Sequence, residues 1–293
     1  MFSFQLLVAA LATGSIYALI AVGLNLIYGT MRLLNLAHGD LVMLGAYAAY
    51  WGFSGLHIDP LIAIPFIGLL AAGIGAAAYL FLFQRFLRDG ARSDRIEANS
   101  LLAFFGLSIA IENLASIAFT GNTRAYQYLD QVVHIGSASI LGNRLAALSI
   151  ALATCAAVLL FFRFTTLGLA VRAIIQSRDA AEIVGVNARK AYLLSFCIGF
   201  GLAGVTGALV SLYSQIWPFM GFSYTVAGFV IIILGGLGNI YGSVIGGLLL
   251  GVLETFGVAI AGANYRSILI YGVFIAILVL RPQGLLGAKS TAR

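Results

Sequence analysis

The sequence predicts an all-α fold, a polytopic transmembrane helix bundle of about 8–10 crossings with a helical cytoplasmic loop. Three observations predict it. Of 293 residues, 61% are hydrophobic and only 9% are charged, whereas a soluble domain carries roughly 25% charged residues. Too little polar surface is left to cover a water-facing globule, so lipid must be the main solvent. The apolar residues also fall in runs long enough to cross a hydrocarbon layer, which takes about 20 residues of helix. Alternating segments of about ten residues, the mark of a membrane β-barrel, are absent.

The runs follow in order. Phe4 to Tyr28 is uninterrupted, and Leu41 to Phe53 is short enough that its helix should begin earlier, near Leu36. Leu61 to Phe83 follows Pro60, Ala98 to Phe119 contains Glu112, and Leu145 to Phe162 is charge-free. Ala191 to Leu253 carries no formal charge and is long enough for three helices, with breaks expected near Ser214–Phe222 and Gly235–Gly242. Ser267 to Leu280 is last, which brings the total to about nine. No hydrophilic block long enough to fold alone interrupts the runs, so residues 1–293 are expected to form a single transmembrane domain.

Basic residues set the orientation. They gather in loop 84–97 (Arg85, Arg88, Arg92, Arg95), in loop 163–190 (Arg163, Arg172, Arg178, Arg189, Lys190) and in the tail (Arg281, Lys289, Arg293). The positive-inside rule places all three regions in the cytoplasm. Three crossings precede residue 84, which puts the N-terminus outside. The first run lacks a basic flank and outlasts a signal-peptide core, so it is expected to be an uncleaved helix.

Several function classes have no support. The net charge of +6 is spread over short loops rather than one aromatic-studded patch, so nucleic acid is not an expected partner. Cys155 and Cys197 lie inside apolar runs and fit small buried hydrophobes rather than a disulfide or metal site. The nearest approach to a phosphate-binding loop, Gly287-Ala288-Lys289-Ser290-Thr291, lacks the second glycine before the lysine, and the HExxH and GxSxG arrangements are missing. No ATPase site, bound cofactor or catalytic residue is expected in this chain.

The informative residues are polar ones in apolar company. Loop 163–190 has the pattern of a helix pair. Thr165 or Thr166 is placed to cap one start, Gly185 to end a helix and Asn187 to cap the next. Such a pair serves equally as a docking surface or as a helix lying on lipid headgroups. Glu112 shares a helical face with Ser108, Ala115 and Ser116, and Glu254 with Gly247 and Gly251. Each acid therefore either lines a pathway or is a buried carboxyl bonded to a neighbouring helix. Asn35, His38 and Asp40 sit in a break between apolar runs, which suits either a cavity wall with freed backbone groups or an interfacial turn. Gly201, Gly204 and Gly207, with the overlapping pairs Gly242/Gly246 and Gly247/Gly251, mark helices that pack closely, within one subunit or between two.

Four stretches carry a family resemblance: "YALIAVGLNLIYGTMRLLNLAHGD", "GLSIAIENL", "RAIIQSRDAAEIVGVNARKAYLLSF" and "LGGLGNIYGSVIGGLLLGVLE". In this order, over nearly the whole chain, they resemble the shorter of the two permease types of branched-chain amino acid ABC importers. The resemblance implies a coupling helix in loop 163–190. Asp179-Ala180-Ala181-x-x-x-Gly185 is similar to the E-A-A-x-x-x-G signature of importer permeases, with Asp in place of Glu. Arg178, Asp179, Ala180, Ala181, Glu182 and Gly185 would then dock the ATPase, the small alanines allowing a close fit. Asn35, His38, Asp40, Glu112, Asn113 and Glu254 become pathway or helix-packing candidates. The implied partners are two ABC ATPase subunits carrying the ATP, a second related permease, a periplasmic or extracellular substrate-binding protein and membrane lipid, in a bacterial inner membrane. Related amino acids, urea or short amides are alternative substrates. An ion-coupled secondary transporter is the alternative class, and a membrane-embedded enzyme a more distant one.

Overall fold

The computed structural model describes residues 4–83, 93–135, 138–281 and 284–286. Arg85, Arg88 and Arg92 of the first basic loop, Lys289 and Arg293 of the tail, and the string Gly287–Thr291 lie outside the described residues.

Eleven α-helices are described: α1 (Phe4–Met31), α2 (His38–Leu56), α3 (Pro60–Ala78), α4 (Ser93–Phe119), α5 (Gly142–Phe164), α6 (Thr166–Gln176), α7 (Arg178–Ile183), α8 (Ala188–Ser211), α9 (Gly221–Gly235), α10 (Ile240–Ala261) and α11 (Arg266–Leu280). Among the described residues, seven helices are long and apolar enough to cross a membrane; the 19-residue α2 and the 15-residue α9 pack among them. The long uncharged stretch divides where expected, with α8 ending at Ser211 and α10 starting at Ile240. One feature was not foreseen. Val132–Ile135 (β1) and Ala138–Leu141 (β2) form an antiparallel hairpin between α4 and α5, with Val132 opposite Leu141.

Local chemistry sets the boundaries. Arg32 and His57 adopt left-handed conformations just after α1 and α2. Pro60 opens α3 beneath a cap in which the Asp59 carboxylate accepts from Leu61 N at 2.8 Å. Between α9 and α10 the chain reverses through Gly236 (φ 103°) and Gly238 (φ 81°), a conformation costly for any residue with a Cβ. Asn239 then caps α10 by accepting from Gly242 N at 2.9 Å.

The core is built on α1 and α8. α1 packs along α10 and α8, while α2 and α3 pack on the other side of α8. The glycine stripes meet helices of the same chain. A Cβ on Gly251 would strike the backbone of Gly14, one on Gly247 the backbone of Ala18, and one on Gly207 the Val42 carbonyl. Helix association in lipid has no hydrophobic drive of its own, so such close backbone approach is a main source of cohesion.

Candidate functional site

Three polar constellations interrupt the apolar bundle. The first is the α6–α7 shelf between α5 and α8. Thr165 caps α6 by accepting from Gly168 N at 3.0 Å, Ser177 caps α7, and Asn187 caps α8 by accepting from Lys190 N at 3.1 Å. Gly185 has φ 87° and turns the chain between α7 and α8. α6 buries Gly168, Val171 and Ile174 against the protein, while Leu167 and Leu169 are 53% and 59% exposed. Ile175 packs against Gly29 of α1 and Gly238 of the α9–α10 turn, which ties the shelf to the core.

The expected coupling residues divide by face. Arg178 pairs with Glu182 at 2.9 Å and lies over the Tyr192 ring; the hydrogen bond to Glu182 raises the Arg178 pKa. Asp179, Ala180 and Glu182 are exposed. Ala181 is 3% exposed, which corrects the expectation that both alanines face a partner: Ala181 is small because its own chain packs against it. Ile183 and Val184, whose place in the loop 163–190 pattern suits apolar contacts, are instead 85% and 76% exposed at the end of this polar helix.

The second constellation surrounds Asp40. Asn35, His38 and Asp40 are fully buried within the protein, and His38 and Asp40 stand in the first turn of α2. Ser108 of α4 donates to Asp40 Oδ2 at 2.5 Å. Gly39 N donates to Thr225 Oγ1 at 2.9 Å, and that hydroxyl donates to the Leu36 carbonyl at 3.0 Å. The Asp40 carboxylate lies where the N-termini of α2 and α9 meet, close enough to Gly221 that a Cβ there would strike it. Both helix ends carry partial positive charge that complements an anion. Both polar atoms of the Asn35 amide are buried without a hydrogen-bond partner among the described residues. Glu112 is only partly buried and Asn113 is exposed, its amide donating to Ile109 O of its own helix at 2.7 Å.

The third constellation centres on Glu254, which the structure does not bring together with Glu112. Glu254 is 5% exposed. Its Oε1 pairs with Arg266 Nε of α11 at 2.5 Å, and its Oε2 accepts from the Tyr17 hydroxyl of α1 at 2.5 Å. Arg266 Nη2 also donates to that hydroxyl at 3.3 Å. The trio walls a cavity of about 530 Å³, whose other polar lining includes Arg144, Tyr213 and Tyr224. A second cavity of about 290 Å³ shares Tyr17, Tyr224 and Arg266 as a wall. Arg144 starts α5 and Tyr213 follows α8, so the larger cavity sits at the far end of the two helices that flank the α6–α7 shelf. The rise of a 23-residue helix puts the two about 35 Å apart.

The sequence reading found Glu254 but not its partners, and it missed Asn25. The two N–H groups of the Asn25 amide lie within hydrogen-bond reach of three acceptors, Gly236 O, Asn239 O and Ser243 Oγ at 3.2, 3.0 and 2.7 Å, and its oxygen accepts from Gly238 N at 2.7 Å. A lone asparagine deep in the uninterrupted run Phe4–Tyr28 was the available signal. No group of three or more metal-ligating side chains occurs among the described residues.

Known proteins share this chain's pattern. Residues 6–278 match the family described as branched-chain amino acid transport system / permease component. The high-affinity branched-chain amino acid transport system permease protein BraD of Pseudomonas aeruginosa is 32% identical over 297 residues, covering 97% of this chain and 95% of that protein. The corresponding LivH protein of Escherichia coli (strain K12) is 31% identical over 287 residues, covering 94% and 92%. The LivM permease protein of the same organism is 25% identical over 304 residues, covering 92% and 68%. No solved structure matches.

Proposed function

The chain belongs to the family of branched-chain amino acid transport system permease components, and from that premise we propose that it is the translocation subunit through which an ATP-driven importer moves branched-chain amino acids. It is a multi-pass protein of the cell inner membrane and a transport subunit rather than an enzyme. Its partners are two ABC ATPase subunits, a second permease related to it as LivM is, and a periplasmic or extracellular binding protein. ATP is bound and hydrolysed on the ATPase subunits, and this chain holds no cofactor. The α6–α7 shelf faces the cytoplasm. The ion-coupled alternative draws no support from relatives named as permease components of transport systems.

One observation carries this reading: Ile183 and Val184 stand exposed at the tip of a short helix that is capped, paired and braced against the core. An exposed apolar pair on a rigid support suits burial against a partner. Its footing through Ile175 on α1 and on the α9–α10 turn gives a pull on the shelf a route to the transmembrane helices.

The test is the double substitution Ile183→Asp/Val184→Asp. Full burial of two such side chains is worth roughly 1.5–3 kcal/mol each, so recovery of the ATPase subunits with the permease should fall at least tenfold while membrane insertion is unchanged. Leucine uptake by reconstituted vesicles should fall with it. Normal co-purification and normal uptake would remove the docking role from this shelf.

A further inference from the structure

The larger cavity holds an imbalance of charge that the fold does not resolve. Two guanidiniums, Arg144 and Arg266, and one carboxylate, Glu254, line it. Arg266 is committed to Glu254. The ion pairs among the described residues, Arg178–Glu182 and Arg266–Glu254, leave Arg144 without a counterion. Arg144 also stands in the first turn of α5, which holds no acidic residue. The partial positive charge of a helix N-terminus favours an anion there, so a cation in that turn is electrostatically misplaced unless an anion comes to it.

The remaining walls describe the rest of the ligand. Ala9, Ile16, Val258 and Ala259 supply an apolar face. Tyr213 and Tyr224 supply aromatic faces and hydroxyls, both suited to an ammonium group. The volume of about 530 Å³ falls within the range of roughly 300–1,000 Å³ typical of small-molecule sites.

We propose that this cavity is a transit site for the amino acid itself, in which Arg144 takes the α-carboxylate, the tyrosines and the outer edge of Glu254 take the ammonium, and the α1–α10 wall takes the aliphatic side chain. The proposal rests on the reading of the chain as an amino acid permease and adds to it a place and a polarity. A free carboxylate is required, so urea and neutral amides do not satisfy the site. Tyr17 and Arg266 of the Glu254–Arg266–Tyr17 trio also line the smaller cavity, so the trio is the partition the passenger meets next.

The experiment uses the assembled importer in proteoliposomes and photo-leucine, a diazirine analogue of leucine, as the probe. Cross-linked peptides should come from the N-terminal half of α1, the start of α5 and the second half of α10. Unlabelled leucine should suppress the labelling and leucinamide, which lacks the carboxylate, should not. Losing one charge-assisted hydrogen bond should lower labelling and leucine uptake roughly tenfold in Arg144→Gln, while Arg144→Lys keeps most of both. Recovery of the complex should be unchanged in both variants, since Arg144 is exposed. Labelling confined to other segments, suppression by leucinamide equal to that by leucine, or unaltered uptake in Arg144→Gln would overturn the site while leaving the importer reading intact. A phospholipid that co-purifies with the wild type and is lost from Arg144→Gln would assign the cavity to a lipid phosphate and overturn it as well. Absence of branched-chain amino acid uptake by the wild-type assembly would end both readings.

Discussion

The most apolar stretch of α1 has a mean hydropathy of 2.1 and is 72% buried within the chain, whereas that of the last helix, Ala263–Leu280, has 1.8 and none of it is buried. Hydropathy therefore reports which solvent a helix tolerates and says nothing of its neighbours. The difference lies in the minority residues. α1 carries Gly14, Tyr17 and Asn25, each engaged with α10 or the turn before it. On α11, a Cβ at Gly272 would meet nothing within 4 Å. In lipid, where apolar contact alone gives no preference for protein over acyl chain, close backbones and hydrogen bonds decide which helices form the core.

Paired substitutions test that contrast. The largest effect is expected from Gly251→Leu, whose added Cβ falls on Gly14 backbone atoms that cannot rotate away. It should exceed the ~1–3 kcal/mol of ordinary overpacking and abolish the detergent-stable fold, while Gly272→Leu stays within about 0.5 kcal/mol of wild type. Thermal midpoints in one detergent measure both, and equal losses would break the comparison. Next comes Asn25→Leu, which strands the Gly238 N–H, while the Gly236 and Asn239 carbonyls and the Ser243 hydroxyl keep partners within the α9–α10 turn; a loss of about 1–3 kcal/mol is expected. Asn113→Leu, which gives up one bond within its own exposed helix, should change little, and a larger loss there would show that α4 packs on something outside the chain.

The smallest effect concerns the acids. Glu254→Gln keeps an acceptor for the Tyr17 hydroxyl and Glu254→Leu does not, so Gln should be the milder by about 1 kcal/mol. The contribution of Arg266 is reduced by screening because its side chain is 55% exposed. The same order, with a smaller gap, is expected at Glu112. A Glu254→Gln protein that assembles normally and transports nothing would show that the charge serves transport rather than packing.

Much of this fold was legible in the sequence because helix length and caps are local. Run lengths, Pro60, Thr165, Gly185 and Asn187 mark boundaries that the structure keeps. Facing is not local. Ala180 and Ala181 are adjacent and identical, yet one is exposed and the other buried, and only the packing of α7 separates them. Arg266, just before the last apolar run, gives no local signal because its partners Glu254 and Tyr17 belong to other helices. The β1–β2 hairpin escaped because strands of four residues are too short for alternation to stand out. The six residues nominated for coupling fall on one small shelf, but the pathway candidates scatter over two separate constellations, since a polar residue in an apolar run signals engagement without naming the partner.

The pairing of α1 with α10 also has a consequence in time. Tyr17 and Glu254 are 237 residues apart, and a ribosome adding roughly 5–20 residues per second needs about 10–50 s to span such a distance. During that interval α1 is already made while its closest neighbour does not exist. Asn25 then has none of its partners on the α9–α10 turn, and the Gly14 groove has nothing to fill it. A nascent α1 is thus a poor citizen of free lipid, and the insertion machinery must shelter it until α10 emerges. Chains truncated before Ile240 should therefore be degraded, because α1 is completed by a helix whose Glu254 is made 237 residues after Tyr17.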